Sequence, residues 1–316
     1  MTDTSNIADR LKKGLTAWYE PKEYLDVVLL NDLEAFKRDK GLKKGIYLFS
    51  FDNRLGIKYF CGDTYKGRLY TKSEVSRYLK EQGFFNYKFF SVFPDLNNPS
   101  HIFSEDYKPN EDLANRFFPT YNTPETVFRE EEMLYRDLID NDIFHSMANA
   151  YLVEVAIGDD VELSDVLQVT STLDRDPENA FFTIIHKDGT VTKENAYPEG
   201  KKRFKYMQSY ASDLKAHSID VVDMEMTEKD ISMPYIDAPT GQLAMKEALL
   251  SRGKEAFFEM TDAFRECVMQ SSEIVEDDVK LGPIAKYGYI DMVPLNSFYI
   301  DGKFVFFDQE FRIEHY

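Results

Sequence analysis

Apolar positions along this chain fall in short dense runs, separated by polar segments that glycine and proline punctuate. Tyr24 to Leu30 (Tyr-Leu-Asp-Val-Val-Leu-Leu) and Ile46 to Phe51 are runs of strand length with little polar interruption, as strands buried on both faces require. Each ends in polar residues, Asn31-Asp32-Leu33-Glu34 and Asp52-Asn53-Arg54. Between them a Lys-rich segment, 33–43, reads as a helix that stops at Lys43-Lys44-Gly45, a basic last turn before a glycine. Strand, helix and strand at this spacing predict one β-α-β unit of a doubly wound sheet. In such sheets the polar residues after a strand's carboxyl end face the ligand crevice. Thr71 to Gly83 reads as a helix, with Thr71 and Glu74 as a capping box. Phe84 to Val92 and His101 to Ser104 read as strands, 105–125 as a surface excursion, and 125–147 as a helix. Ala150 to Ile157 then reads as an edge or closing strand.

Gly158 to Asp165 is acidic and turn-rich, and the pattern places a domain boundary there. Beyond it Val166 to Thr172, Ala180 to His186 and Thr190 to Lys193 read as strands, the last two joined by Lys187-Asp188-Gly189. Pro198 opens a helix over 198–216, Val221 to Met226 and Ile231 to Ile236 are short strands, and 243–270 is largely helical. This is the element order of a nucleotide-binding kinase N-lobe and the beginning of its C-lobe. Near the chain's end Ser297 to Ile300 and Lys303 to Phe307 are joined by Asp301-Gly302, a strong hairpin signal.

That hairpin predicts that Asp308 returns beside Asp291 and Asn296. An acid, an amide and a second acid converging on one point suit Mg²⁺-nucleotide chemistry: one carboxylate orients an accepting hydroxyl, while the amide and the other carboxylate hold metal on the phosphates. About one Asp-x4-Asn pair arises by chance in a chain like this. The weight therefore rests on the hairpin and on the third group that it delivers.

Composition narrows the field. The chain has 316 residues, enough for two domains, and a formal net charge of −18. A surface so acidic argues against general nucleic-acid binding, which needs basic groups to neutralise phosphate. No run approaches the ~20 apolar residues of a membrane helix, and Met1 to Leu11 has no apolar core of the secretory-signal kind. Cys61 and Cys267 match no metal or redox spacing, and the five histidines (His101, His145, His186, His217, His315) match no zinc spacing. The heavy load of Tyr and Phe reads first as aromatic cores.

Asp26 to Glu34, Gly45 to Gly62 (including Asn53-Arg54-Leu55-Gly56-Ile57-Lys58-Tyr59-Phe60), Thr71 to Phe84 and Tyr87 to Asp95 together resemble the end of a class I S-adenosylmethionine-dependent methyltransferase domain. With Asp308-Gln309-Glu310-Phe311 they are similar to the methyltransferase–kinase proteins of bacterial cell-surface polysaccharide (O-antigen type) synthesis. The resemblance covers most of the chain: well over 24–104 and 281–311, more loosely over 105–180. It implies an α/β fold: a partial Rossmann-like methyltransferase domain over 1–157, then an α+β kinase-like lobe over 158–316. Both parts are expected to be truncated, because the Gly-rich cofactor turn has no match and a kinase C-lobe would continue past Tyr316.

The roles that the resemblance implies are residue-specific. Asp291 is the catalytic carboxylate, Asn296 and Asp308 are metal ligands, and Lys193 contacts the nucleotide phosphates with Glu199 as its partner. Met233 and Tyr235 belong to a hinge against the adenine, and Asp32 and Glu34 line the methyl-donor pocket. The implied cofactors are S-adenosylmethionine, ATP and Mg²⁺, and the implied acceptor is a sugar or glycan. The expected location is cytoplasmic, extending to a peripheral position at the inner face of the membrane. Asp174-Arg-Asp-Pro-Glu-Asn179 stands where a Gly-rich phosphate loop is expected, and Tyr289-Ile290 replaces the usual His-Arg or His-Gly before the catalytic Asp. These departures keep a second reading open: a non-catalytic module that scaffolds a glycosyltransferase or polymerase.

Overall fold

The computed structural model describes residues 9–20, 25–39, 41–65, 67–109, 113–116, 118–227, 229–280 and 282–314. Tyr24, where the first expected strand begins, and His315 lie outside them. The chain is mixed α and β and divides into two compact units, Met1–Tyr197 and Pro198–Tyr316. This division lies beyond the acidic turn at Gly158 to Asp165, so the three strands after that turn belong to the first unit. Among the described residues no helix is long and apolar enough to cross a membrane.

In the first unit β1 (Asp26–Leu30), β2 (Gly45–Asp52), β3 (Tyr87–Phe93), β4 (His101–Ser104), β5 (Ala150–Ile157), β6 (Val166–Ser171), β7 (Phe181–His186) and β8 (Thr190–Asn195) share one sheet, in the order β1-β2-β5-β3-β4-β6-β7-β8. Helix α1 (Leu33–Arg38) connects β1 to β2, which pair in parallel from Asp26 opposite Gly45 to Leu30 opposite Phe49. The predicted β-α-β unit is therefore present. Every other pairing within this unit's sheet is antiparallel.

Ala150–Ile157 corrects an expectation. It is no edge strand: it lies between β2 and β3 and is buried from Ala150 to Ala156. Apolar side chains on both of its faces make an interior place favourable. Its one charged residue, Glu154, accepts from Tyr19 Oη (2.6 Å), the Ser164 amide (2.8 Å) and Ser164 Oγ (2.9 Å). Because β5 runs antiparallel to both neighbours, β3 points the same way as β1 and β2. The carboxyl ends of β1, β2 and β3 and the entry to β5 thus share one edge.

The aromatic residues fill the core, as their number suggests. On one face Phe36, Phe49, Phe51, Phe89, Phe93, Phe103, Tyr135, Phe144 and Tyr151 are buried together; on the other Trp18, Ile46, Leu48, Phe90, Val92 and Leu152 are. This follows from the two-residue alternation of the strands. The helix expected over 125–147 contracts to α3 (Tyr135–Asp140) flanked by 3-10 turns. Asp142, in the left-handed region at φ 58°, stops it. By contrast α2 (Lys72–Glu81) carries the predicted capping box in full, Thr71 with Glu74.

The second unit holds α4 (Lys201–Ala216), β9 (Glu225–Met226) paired with β10 (Asp230–Pro234), then α5 (Gly241–Arg252) and α6 (Lys254–Gln270). Three antiparallel pairs follow: β11 (Ile274–Asp278) with β12 (Gly282–Ala285), β13 (Tyr287–Tyr289) with β16 (Arg312–Glu314), and β14 (Ser297–Ile300) with β15 (Lys303–Phe306). The strand expected over Val221 to Met226 shortens because Val221 bridges Phe306 instead. Tyr210, Leu214, Met245, Ala248, Met260, Tyr289, Phe304 and Phe306 form this unit's core.

Candidate functional site

The closing hairpin forms as its turn residues demand. Asp301 and Gly302 have φ of 48° and 83°, the two positive values of a type I′ turn, and pairing runs from Ile300 opposite Lys303 to Ser297 opposite Phe306. The register carries the chain back to its start, where the Phe307 amide donates to Asn296 O at 3.0 Å. Asn296 closes the 3-10 turn Pro294–Asn296 and donates from Nδ2 to Asp291 O at 3.2 Å. That bond fixes the amide's orientation, and Asn296 Oδ1 makes no hydrogen bond to any described residue.

Asp291 is held from the other side. Its Oδ2 accepts from the Glu310 amide at 2.8 Å and the Phe311 amide at 2.7 Å. Two backbone N–H groups on one carboxylate oxygen fix the side chain firmly. Gln309, only 2% exposed, donates from Nε2 to Asp291 O (3.0 Å) and Phe307 O (2.8 Å), while its Oε1 is buried without a hydrogen-bond partner among the described residues. Asp308 lies between these tethers at φ 58°, a conformation that Asp adopts more readily than most side chains. Hairpin, turn and return strand thus bring Asp291, Asn296 and the Phe307–Phe311 segment with Asp308 to one corner. Gln309 is a lock on Asp291 that its place in the sequence does not reveal.

Helix α4 grips the same segment. Arg203 donates from Nη1 to Glu310 O at 3.1 Å and lies 4.3 Å from the Phe311 ring centre. Arg312 stacks on Tyr287 (4.0 Å) and Tyr210 (4.7 Å) and bonds Asp213 Oδ2 at 2.6 Å. Arg203, Tyr210 and Asp213 recur on one helical face.

The hinge candidates lead into this corner. Met233 is half-buried on β10, and Tyr235, just past the strand, is half-buried too. Thr240 then bridges Phe298, and the Tyr299 amide donates to Pro239 O at 3.0 Å. Gly241, the first residue of α5, packs so tightly that an added Cβ would lie 2.5 Å from Ser297 Oγ and 2.9 Å from Pro294 O. Glycine to alanine in a helix usually stabilises by about 0.5–1 kcal/mol. Here Gly241→Ala is expected to destabilise by about 1–3 kcal/mol through overpacking, read as a lower denaturation midpoint.

The remaining predicted residues lie elsewhere in the chain. Lys193 lies on β8 in the first unit, 3% exposed, with its ammonium 4.9 Å from the Phe181 ring centre. Glu199 belongs to the second unit, in the exposed 3-10 turn Pro198–Gly200. Asp32 caps α1, accepting from the Ala35 amide at 2.7 Å. Glu34 accepts from the Tyr70 hydroxyl and from Lys37 (2.9 Å) and pairs with Arg68 (3.2 Å). The Tyr70 hydroxyl first, then Lys37, pulls its carboxyl down to about 2.

A buried polar network at the strand-end edge has partners too distant in sequence to be read from it. Asn149, fully buried before β5, donates from Nδ2 to Pro94 O (3.0 Å) and Glu131 Oε1 (3.1 Å), and its Oδ1 accepts the Lys58 amide at 3.1 Å. Asn53 donates to Ala148 O at 2.7 Å. Burial holds the Glu131 carboxyl up to about 7, although Tyr135 Oη and Asn149 Nδ2 pull the other way. An unfolded Glu ionises near ~4.3, so between roughly pH 4 and 7 the folded chain keeps a proton that the unfolded chain has released. Stability from this group therefore falls as pH rises through that window and is level above it. Glu131→Gln is expected to flatten that slope in urea titrations at pH 5 and pH 7.5.

The chain matches no family model, no curated protein and no solved structure. Among the described residues no group of three or more His, Cys, Asp and Glu side chains is placed to hold a metal ion by itself.

Proposed function

We propose that the second unit carries a kinase-like phosphotransferase site, and that the first holds the carboxyl-terminal part of a methyltransferase-like domain, in a protein of bacterial cell-surface glycan synthesis. The observation that carries this reading is the corner in which hairpin β14–β15 returns Asp308 beside Asn296 and Asp291. Its chemistry fits Mg²⁺. Asn296 offers an amide oxygen with its nitrogen already engaged, Asp308 offers a carboxylate, and Gln309 Oε1 is a buried acceptor that a metal-bound water could supply.

In this reading Asn296 and Asp308 hold the ion, and Asp291, fixed by the two backbone amides, orients the acceptor hydroxyl. Met233 and Tyr235 flank the adenine. Mg²⁺ held there would supply positive charge against the charge developing on the transferred phosphoryl group. For the first unit, support comes from the β1-α1-β2 crossover and from polar strand ends gathered at one edge. Asp32, which caps a helix, and Glu34, tied into a charged cluster, would line the far side of the methyl-donor pocket.

The engagement of Asp291 Oδ2 by two amides favours the scaffold as a second reading. Calorimetric titration of the full chain with ATP, with and without Mg²⁺, tests the first. Mg²⁺-dependent binding is expected; no binding under either condition would remove the phosphotransferase reading.

A further inference from the structure

We propose that the strand-end edge of the first unit holds a binding site for a neutral sugar, built around the ammonium of Lys58. Lys58 lies in the single helical turn Ile57–Phe60 that follows β2, and it is 3% exposed. Its amide is satisfied by Asn149 Oδ1. Its ammonium pairs with Asp63 Oδ2 at 4.0 Å, longer than a hydrogen bond, and lies 5.4 Å from the Tyr59 ring centre. An ammonium carries three donors, so this one can also donate to a ligand hydroxyl.

The surroundings define the ligand. Asp63, its side chain fully buried, is fixed by the Thr123 amide (2.9 Å) and Asn122 Nδ2 (3.3 Å). The Asp52 carboxylate at the end of β2 accepts no hydrogen bond from any described residue. Burial raises its pKa, with Asp95 adding to the shift and Lys58 opposing it, so all three groups share one field. The Tyr59 phenol stands in the same field: burial and then Asp52, Asp63 and Asp95 raise it.

A phosphate or carboxylate ligand would meet three carboxylates against one ammonium, and a metal ion would meet the ammonium. A hydroxyl group suits both, because its oxygen accepts from Lys58 while its proton goes to a carboxylate. A molecule with several hydroxyls on a small apolar frame therefore fits best.

The rim supplies the apolar part. Phe60, Tyr65 and Phe128 are 55%, 65% and 77% exposed. The Tyr65 ring meets Tyr59 edge-on at 5.8 Å, and the Phe128 amide donates to Cys61 O at 3.0 Å. Gly62, at φ 109°, would with a Cβ come within 2.8 Å of the Phe128 ring, so glycine there lets that ring lie close. Exposed aromatic rings beside a few buried polar groups make up the usual lining of a small-molecule site. This inference deepens the glycan-acceptor part of the reading above and rests on it only for the biological source of the sugar.

Saturation-transfer NMR on the full chain tests it, with methyl glycosides of mannose, galactose, glucose and rhamnose as probes and inorganic phosphate as the anionic control. Transfer from at least one glycoside and none from phosphate is expected. Affinity should fall ten-fold or more in Lys58→Met and Asp52→Asn, and several-fold in Tyr65→Ala. Tyr65 is exposed, so that variant carries the test if Lys58→Met folds poorly. Absence of transfer from every glycoside, or transfer unchanged in Tyr65→Ala and Asp52→Asn, would overturn the site. A parallel Mg·ATP titration separates the two claims, since nucleotide binding can fail while the sugar signal persists.

Discussion

Phe306→Ala is expected to destabilise the second unit by about 3–5 kcal/mol, the usual cost of emptying a buried aromatic position. Phe306 is fully buried, with its ring 5.7 Å from that of Phe264, and it closes the hairpin opposite Ser297. Its backbone is tied outside the hairpin as well: its amide donates to Asp220 O (2.8 Å), and its carbonyl accepts from Val222 (2.9 Å). The main chain therefore cannot easily collapse into the space, and a cavity should remain. Two residues on stands Asp308, so the same change should weaken Mg²⁺-dependent nucleotide binding. A denaturant titration reads the first effect; a loss below about 1 kcal/mol would mean that the ring is not packed as described.

Asp308→Asn is expected to reduce Mg²⁺-dependent ATP affinity by ten-fold or more, about 1.4 kcal/mol or above, while the denaturation midpoint stays nearly unchanged. The left-handed backbone at φ 58° makes asparagine the informative replacement. Asn tolerates that conformation as Asp does, whereas most side chains are strained there. The variant thus removes charge without moving the chain. A fluorescent nucleotide titrated at several Mg²⁺ concentrations would show the loss as a shifted metal dependence. Equal affinity in variant and wild type would take Asp308 out of the metal set.

Much of the fold was legible wherever the local signal was strong. Asp301-Gly302 placed β14 to the residue and β15 to within one, because a two-residue turn with two positive φ values leaves one register open. The Thr71–Glu74 box gave α2, and the apolar run 150–157 gave β5 with both its boundaries. The place of β5 in the sheet was not legible. Strand order depends on which partners bury its two faces, and those lie far off in sequence. The helix expected over 125–147 failed for a related reason: its apolar spacing serves a core reached through 3-10 turns, and Asp142 turns the chain early.

The site divides in the same way. The return of the Phe307–Phe311 segment beside Asp291 and Asn296 could be anticipated because the hairpin is local. The clamp of Gln309 on Asp291, the grip of Arg203 on Glu310 and the burial of Lys58 beside Asp63 could not, since each depends on a partner that only the folded chain defines.

A crystal structure of the full chain with Mg²⁺ and a non-hydrolysable ATP analogue would test the central claim most directly. The ion is predicted to be bound by Asn296 Oδ1 and the Asp308 carboxylate at about 2.0–2.1 Å, shared with phosphate oxygens, with Asp291 facing the acceptor side. A nucleotide bound elsewhere, or an ion that leaves Asn296 and Asp308 untouched, would contradict the account.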